Sequence, residues 1–223
     1  MIEILISAVL LVILILWLAY KDKFPPPKRI LFCVATDEEK ISLVKTINRI
    51  QQELVKRNIG FDVLVTGTGV MSSTVRLLKH LSSLPNRYYS HILNIGFAGG
   101  HFDQRADQRA DQRADQRADQ RAKWVKVAKI YDMTTPTDFR SPPVILGSDR
   151  DGVNLETHVK FVKDVNELRN ERNIVDMEAY ALAIIAEAYG IGFESYKLVS
   201  DSGDSSDYDD ATKTTDHPIL VLT

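Results

Sequence analysis

The alternation of apolar and polar positions divides the chain into a leading apolar block and a body in which short apolar runs alternate with helix-period stretches. Ile4–Tyr20 runs for 17 residues without a charge, just long enough to span a bilayer. Lys28–Ala35 (KRILFCVA) reads as a strand of the kind buried on both faces of an α/β sheet. The next stretch has helical period, with Ile41, Val44, Ile47, Ile50, Leu54 and Val55 expected on one apolar face. Phe61–Thr66 predicts a second strand, followed by a helix with Val70, Val75, Leu77, Leu78 and Leu81 on its inner side. His91–Gly96 predicts a third strand and Trp124–Met133 a fourth, with a proline-marked loop at Pro136, Pro142, Pro143 and Gly147. Leu155–Phe161 is ambiguous, and Val165–Arg172 reads as a polar helical surface segment. In Ile174–Asp204, Ala179, Leu182, Ile185, Ala186 and Tyr189 predict a helix, Gly190 its stop and Phe193–Val199 a strand. The strand–helix–strand rhythm predicts a three-layer α/β/α domain on a mostly parallel sheet.

Flanking residues sort out the leading block. Trp17 and Tyr20 lie at its end as interfacial aromatics do. Glu3 precedes it and Leu-Ala-Tyr-Lys follows, which suits an uncleaved anchor better than a signal peptide. Lys21, Lys23, Lys28 and Arg29 follow the run, so the positive-inside rule places the body in the cytoplasm. Residues 1–21 are thus expected to be a single-pass membrane anchor and 22–27, with Pro25–Pro27, a stiff linker. The rest, 28–223, is read as one domain. Asp103–Ala122 interrupts it with five copies of Asp-Gln-Arg-Ala. That unit lacks the apolar residues a stacked repeat needs, so it reads as a solvent-exposed loop expansion without a catalytic role. After Asp204 the chain turns polar and acidic, and no closing amphipathic helix is visible.

The formal charge of −2 gives no electrostatic case for a nucleic-acid partner. Cys33, the single cysteine, sits in an apolar run and reads as a core residue. Candidate chemistry gathers at the ends of the predicted strands. Thr36 can cap the first helix, with Glu39 completing a capping box. Asp37, Glu38 and Glu39 either complement the helix dipole or stand where α/β folds put site groups. Gly67-Thr68-Gly69 can turn backbone amides toward a ligand, although so short a pattern is common. Glu178 and Asp201 are acids in apolar settings: either site groups, or a helix-start charge and a turn residue.

Four motifs together resemble the purine nucleoside phosphorylase/uridine phosphorylase superfamily, nearest its 5′-methylthioadenosine/S-adenosylhomocysteine nucleosidase and futalosine hydrolase branch. They are Gly67-Thr68-Gly69, Asn94-Ile95-Gly96-Phe97-Ala98-Gly99-Gly100, Val175-Asp176-Met177-Glu178-Ala179 and Val199-Ser200-Asp201. The most specific is the VDMEA run followed by Ser-Asp, and the likeness covers residues 28 to about 204. The resemblance implies a nucleoside phosphorylase-like fold, a small-molecule nucleoside as partner, a homodimer, and no cofactor or metal. It implies Asp201 as the acid that protonates purine N7, Glu39 as the carboxylate that polarises the attacking water, and Lys197 near that water. It implies Glu178 and the Met177 backbone around the sugar, Phe161 stacked on the base, and Gly69, Phe97, Ala98 and Gly99 lining the site. Phe97 departs from the small residue the nucleosidases usually carry there.

Bound phosphate needs cationic donors. Where bacterial purine phosphorylases carry such donors, this chain has Asn94 and the acids Asp37, Glu38 and Glu39. Hydrolysis of the N-glycosidic bond of a purine nucleoside is therefore the expected activity. A phosphorylase and a catalytically inactive nucleoside-binding domain at the membrane are the alternatives.

Overall fold

Five consecutive buried residues, Ile30 to Val34, make β1 (Lys28–Val34) the spine of the fold. The remaining elements, in chain order, are α1 (Asp37–Lys56), β2 (Ile59–Val65), α2 (Val70–Ser82), β3 (His91–Gly100), β4 (Lys123–Asp132), β5 (Val144–Ile145), β6 (Val153–Thr157), β7 (Ile174–Asp176), α3 (Ala179–Ala188) and β8 (Gly192–Asp201). The computed structural model describes residues 28–100, 123–136, 139–147, 152–162, 167–170 and 173–201. The apolar run at 4–20, the proline linker, the repeat at 103–122 and the tail after Asp201 lie outside these residues. Among the described residues no helix is long and apolar enough to cross a membrane.

The sheet is mixed and mostly parallel. β2, β1, β3 and β8 run parallel to one another. β8 then pairs antiparallel with β4, β4 parallel with β6, and β6 parallel with β7. β7 returns antiparallel onto the end of β3, at Gly99 and Gly100. Strands β3, β8, β4, β6 and β7 thus form a closed circuit, with β1 and β2 as an open flank.

Successive strand residues face opposite sides, and the core follows that period. Ile30, Phe32 and Val34 face α1, where Leu43, Ile47 and Leu54 cover them. Leu31 and Cys33 face α2 and α3, packing with Leu77, Leu81, Leu182 and Ile185. A third cluster, including Val127, Ile130, Leu155, Ile174 and Ala183, fills the strand circuit. The expected three-layer α/β/α order holds. Cys33 is a core residue, and burial pushes its thiol well above the ordinary range.

Several local expectations hold and others shift. Thr36 caps α1 and the capping box with Glu39 is complete. Gly190 adopts φ +65° after α3. Its N–H donates to Glu187 O at 3.0 Å and the Ile191 N–H to Ala186 O at 2.9 Å, the two bonds of a Schellman stop. By contrast, Ile41 and Val55 on α1 are 58% and 69% exposed, and Val75 and Leu78 on α2 are 56% and 39% exposed. A helix turns 100° per residue, so one contact stripe cannot hold all the apolar positions of either helix. Leu43 and Ser73 are buried instead; the Ile50 side chain lies outside what is described. β3 does not stop at Gly96 but continues to Gly100, because β8 and β7 pair with its extension. The ambiguous stretch resolves into β6 up to Thr157. Of the expected polar helix only 167–170 is described, with Glu167 in a 3₁₀ turn and 168–170 in bends. There the Arg169 N–H donates to the buried Glu156 carboxylate at 2.8 Å.

Candidate active site

The site starts at the carboxyl ends of β1 and β3. Glu39 is the third residue of α1 and is only 4% exposed. Its Oε2 accepts from the Thr36 N–H at 3.2 Å, as a capping box requires, and from the Ala35 N–H at 2.6 Å. Its Oε1 accepts from the Phe97 N–H at 3.1 Å. This last bond needs the backbone of β3 very close: a Cβ on Gly96 would lie 2.8 Å from Glu39 Oε1. Burial raises the Glu39 carboxyl above its ordinary range, while Lys197 and the three N–H donors pull it back.

A second carboxylate arrives from the start of α3. Glu178 is 7% exposed, and its Oε1 accepts from the Gly69 N–H at 2.7 Å. Gly69 caps α2 with φ +89°, a backbone state open to glycine, which is why the Gly67-Thr68-Gly69 turn can present that amide. The positive end of the α2 dipole therefore meets the Glu178 carboxylate.

Between the two acids lies a buried ion pair. Lys197 on β8 is 1% exposed and its Nζ donates to Asp176 Oδ2 at 2.8 Å. Burial alone would lower the ammonium pKa, but Asp176, Glu178 and Glu39 outweigh it and hold it above its ordinary value. One cation thus faces three carboxylates, a combination that burial penalises unless a proton is retained. Both Glu39 and Glu178 are raised by their burial, and Glu178 is close enough to neutral pH to exchange that proton. Burial first, then the charge of Asp176 and that of Glu39, push Glu178 up to about 7, against the pull of Lys197 and the Gly69 N–H.

A cavity of about 250 Å³ opens onto this cluster. Glu39, Glu178, Met177, Phe161, Phe97, Ala98 and Gly99 all line it, so seven of the sequence-predicted site residues meet in one space. Gly69 acts through its N–H on Glu178, and Lys197 lies behind the wall against Asp176. Phe161 is 50% exposed at the mouth, beside Val162. Asp201 ends β8 with its backbone opposite Gly99; its side chain lies outside what is described. Sequence reasoning missed Asp176, which lines the cavity inside the VDMEA run it had already singled out, and Thr157, whose hydroxyl donates to Asp176 Oδ1 at 2.8 Å. It also passed over Gly96 as a contact of Glu39, which no local signal betrays. Among the described residues no group of His, Cys, Asp and Glu is arranged to hold a metal ion.

Comparison with known proteins gives the fold independently. No protein-family model matches the chain, and no curated protein does. Solved structures do. A futalosine hydrolase mutant of Helicobacter pylori superposes with a TM-score of 0.56 at 13% identity, over 82% of this chain and 91% of that one. A putative 5′-methylthioadenosine/S-adenosylhomocysteine nucleosidase of Borrelia burgdorferi, bound to adenine, gives 0.57 at 16% identity over 82% and 91%. The 5′-methylthioadenosine nucleosidase of Arabidopsis thaliana, in apo form, gives 0.57 at 15% over 84% and 88%. The chain shares the fold of these three structures.

The raised Glu178 carboxyl has a consequence for stability. Its folded value, about 7, lies above the ordinary 4.5, so the folded state holds a proton that the unfolded chain has already released. Stability then falls as pH rises between those values, by up to ~3 kcal/mol, and stays low above them. Glu178→Gln cannot ionise and should melt several degrees above the parent at pH 8, with the gap closing toward pH 4.5. Parallel melting profiles across that range would show that Glu178 is not the group that keeps the proton.

Proposed function

We propose that this chain hydrolyses the N-glycosidic bond of an adenosine-type purine nucleoside, releasing base and sugar. The observation that carries this reading is the convergence of Glu39, from the first helix, and Glu178, from the last, on one cavity that also holds Phe161 and the Phe97-Ala98-Gly99 wall. The nucleosidase fold supports it.

In this reading the C1′–N9 bond breaks through an oxocarbenium-like sugar, and the electron pair leaves with the purine. The leaving base takes a proton at N7 from Asp201, the role the resemblance assigns to that residue; the pairing of its backbone with Gly99, which lines the cavity, supports this role. A water held by Glu39 attacks C1′ and gives its proton to that carboxylate. Three backbone N–H donors already orient Glu39, so it stays aimed as its charge changes. Glu178, when ionised, accepts the sugar hydroxyls, with the Met177 backbone beneath the ring. Phe161 stacks on the base at the mouth, with Val162 next to it. Water rather than phosphate is the nucleophile in this reading. Among the described residues lining the cavity the one cation is Lys160, and its ammonium is paired with Glu167 at 3.2 Å. We further propose that the apolar run at 4–20 holds this domain at the cytoplasmic face of a membrane, on the strength of the basic residues that follow it.

The direct test is to incubate the full chain with 5′-methylthioadenosine, S-adenosylhomocysteine, adenosine, inosine and futalosine and assay free base. Base release without added phosphate is expected. Release only with phosphate would make the chain a phosphorylase, and nucleoside binding without any turnover would make it an inactive binding domain. Glu39→Gln and Asp201→Asn should each lower kcat by ~10²–10⁴-fold while the protein stays folded. Gly96→Ala should lower kcat as Glu39→Gln does and should also lower the melting temperature, because its Cβ displaces a buried carboxylate held by three backbone N–H groups. For the anchor, a reporter fused at the C-terminus should be active only in the cytoplasm; activity on the other side would reverse the orientation.

A further inference from the structure

Helix α3 begins without help from its own first residue. Glu178 occupies the N-cap position at φ −133° and ψ −37° and makes no capping hydrogen bond. The amides it leaves are served from elsewhere. The Ala179 N–H donates to Asp176 Oδ2 at 3.0 Å, and the Tyr180 N–H to Thr157 Oγ1 at 3.0 Å. Thr157 in turn donates to Asp176 Oδ1 at 2.8 Å, and Lys197 Nζ donates to Oδ2 at 2.8 Å. Asp176 thus spends both oxygens on neighbouring protein groups, although it lies in the cavity wall and is only 6% exposed.

We propose that Asp176 is a positioning residue for the reaction: it caps α3 in place of Glu178, anchors Lys197, and through both aims and electrostatically tunes the Glu178 carboxylate. This inference rests on the reading of Glu178 as the group that receives the sugar hydroxyls. With the capping task moved to Asp176 and Thr157, Glu178 is released to reach the Gly69 N–H and the cavity. An ordinary N-cap acid would fold back onto its own helix.

The groups that face Glu178 come from four elements. Asp176 is on β7, Lys197 on β8 and Glu39 on α1, and the Gly69 N–H opens α2. Lys160 lies farther out on the cavity wall. Of the carboxylates, Asp176 contributes most to holding the proton on Glu178. Neutralising Asp176 removes that repulsion and frees the Lys197 ammonium for Glu178, so both effects lower the pH at which Glu178 ionises. Removing the Lys197 charge does the opposite.

The test reads Glu178 itself. In the full chain carrying ¹³C-labelled glutamate, the side-chain carboxyl resonance lost in Glu178→Gln identifies Glu178, and its titration is followed without ligand. Asp176→Asn should move the midpoint down by about one pH unit or more, and Lys197→Met should move it up. With 5′-methylthioadenosine, the acid limb of kcat/KM should shift with the midpoint in Asp176→Asn, and KM should rise by a larger factor than kcat falls. An unmoved midpoint in either variant, with only a lower melting temperature, would make Asp176 a purely structural cap and overturn the proposal. If the parent chain releases no base, the hydrolase reading fails, yet the ligand-free titration still decides whether Asp176 tunes Glu178. Should Asp176→Asn not fold, the Lys197→Met titration carries the same decision.

Discussion

One ammonium buried among three carboxylates is the constraint around which this domain is arranged. Lys197 is wholly inside, and Asp176, Glu178 and Glu39 are all nearly so. Taking such a group out of water is costly unless each charge finds partners. The partners here are mostly backbone amides at the ends of secondary structure: Ala35 and Thr36 after β1, Phe97 inside β3, Gly69 before α2 and Ala179 at the start of α3. Helix starts and strand ends carry unspent N–H groups by geometry. A fold that brings several of them to one place can hold buried carboxylates without many cations.

The strand circuit is what brings them there. β8 bridges the parallel flank and the β4–β6–β7 group, pairing with β3 on one edge and β4 on the other. Lys197 therefore stands on the strand shared by both halves. β7 closes onto the last two residues of β3, so the VDMEA run follows directly from the same seam. In open parallel sheets, ligand crevices form outside the carboxyl ends of the strands. Here the return of β7 walls such a crevice on one more side, leaving a half-open cavity with acids on two walls.

What the sequence could convey followed the range of the forces involved. The Thr36–Glu39 capping box, the Gly190 stop and the Gly67-Thr68-Gly69 turn were legible, because each depends on φ angles and amides within a few residues. The convergence of Glu39 and Glu178 was legible only through resemblance to a known family. Their separation of more than a hundred residues leaves no local trace. Asp176 was overlooked for the same reason: its partners Thr157 and Lys197 come from two other strands. The extension of the third strand from Gly96 to Gly100 was not legible, because its strand character is imposed by pairing partners and not by propensity. Ile41, Val55, Val75 and Leu78 looked like core because pattern alone does not say how wide a stripe the neighbouring sheet covers.

The first and last helices answer one problem in opposite ways, and the difference explains the chemistry available. α1 uses its own third residue to cap itself, so Glu39 is tied by Oε2 to the chain before it and by Oε1 to β3. Such a carboxylate is fixed in place and has few free lone pairs, which suits holding one small molecule such as water. α3 borrows its cap from Asp176 and Thr157, so among the described residues Glu178 accepts from the Gly69 N–H alone and keeps acceptor capacity toward the cavity. A carboxylate of that kind can receive two hydroxyls from one ligand once it has lost its proton. The asymmetry between a tethered acid and a released one is thus set by which residue caps each helix, and the proposed hydrolysis makes use of it, with water on the first carboxylate and sugar on the second.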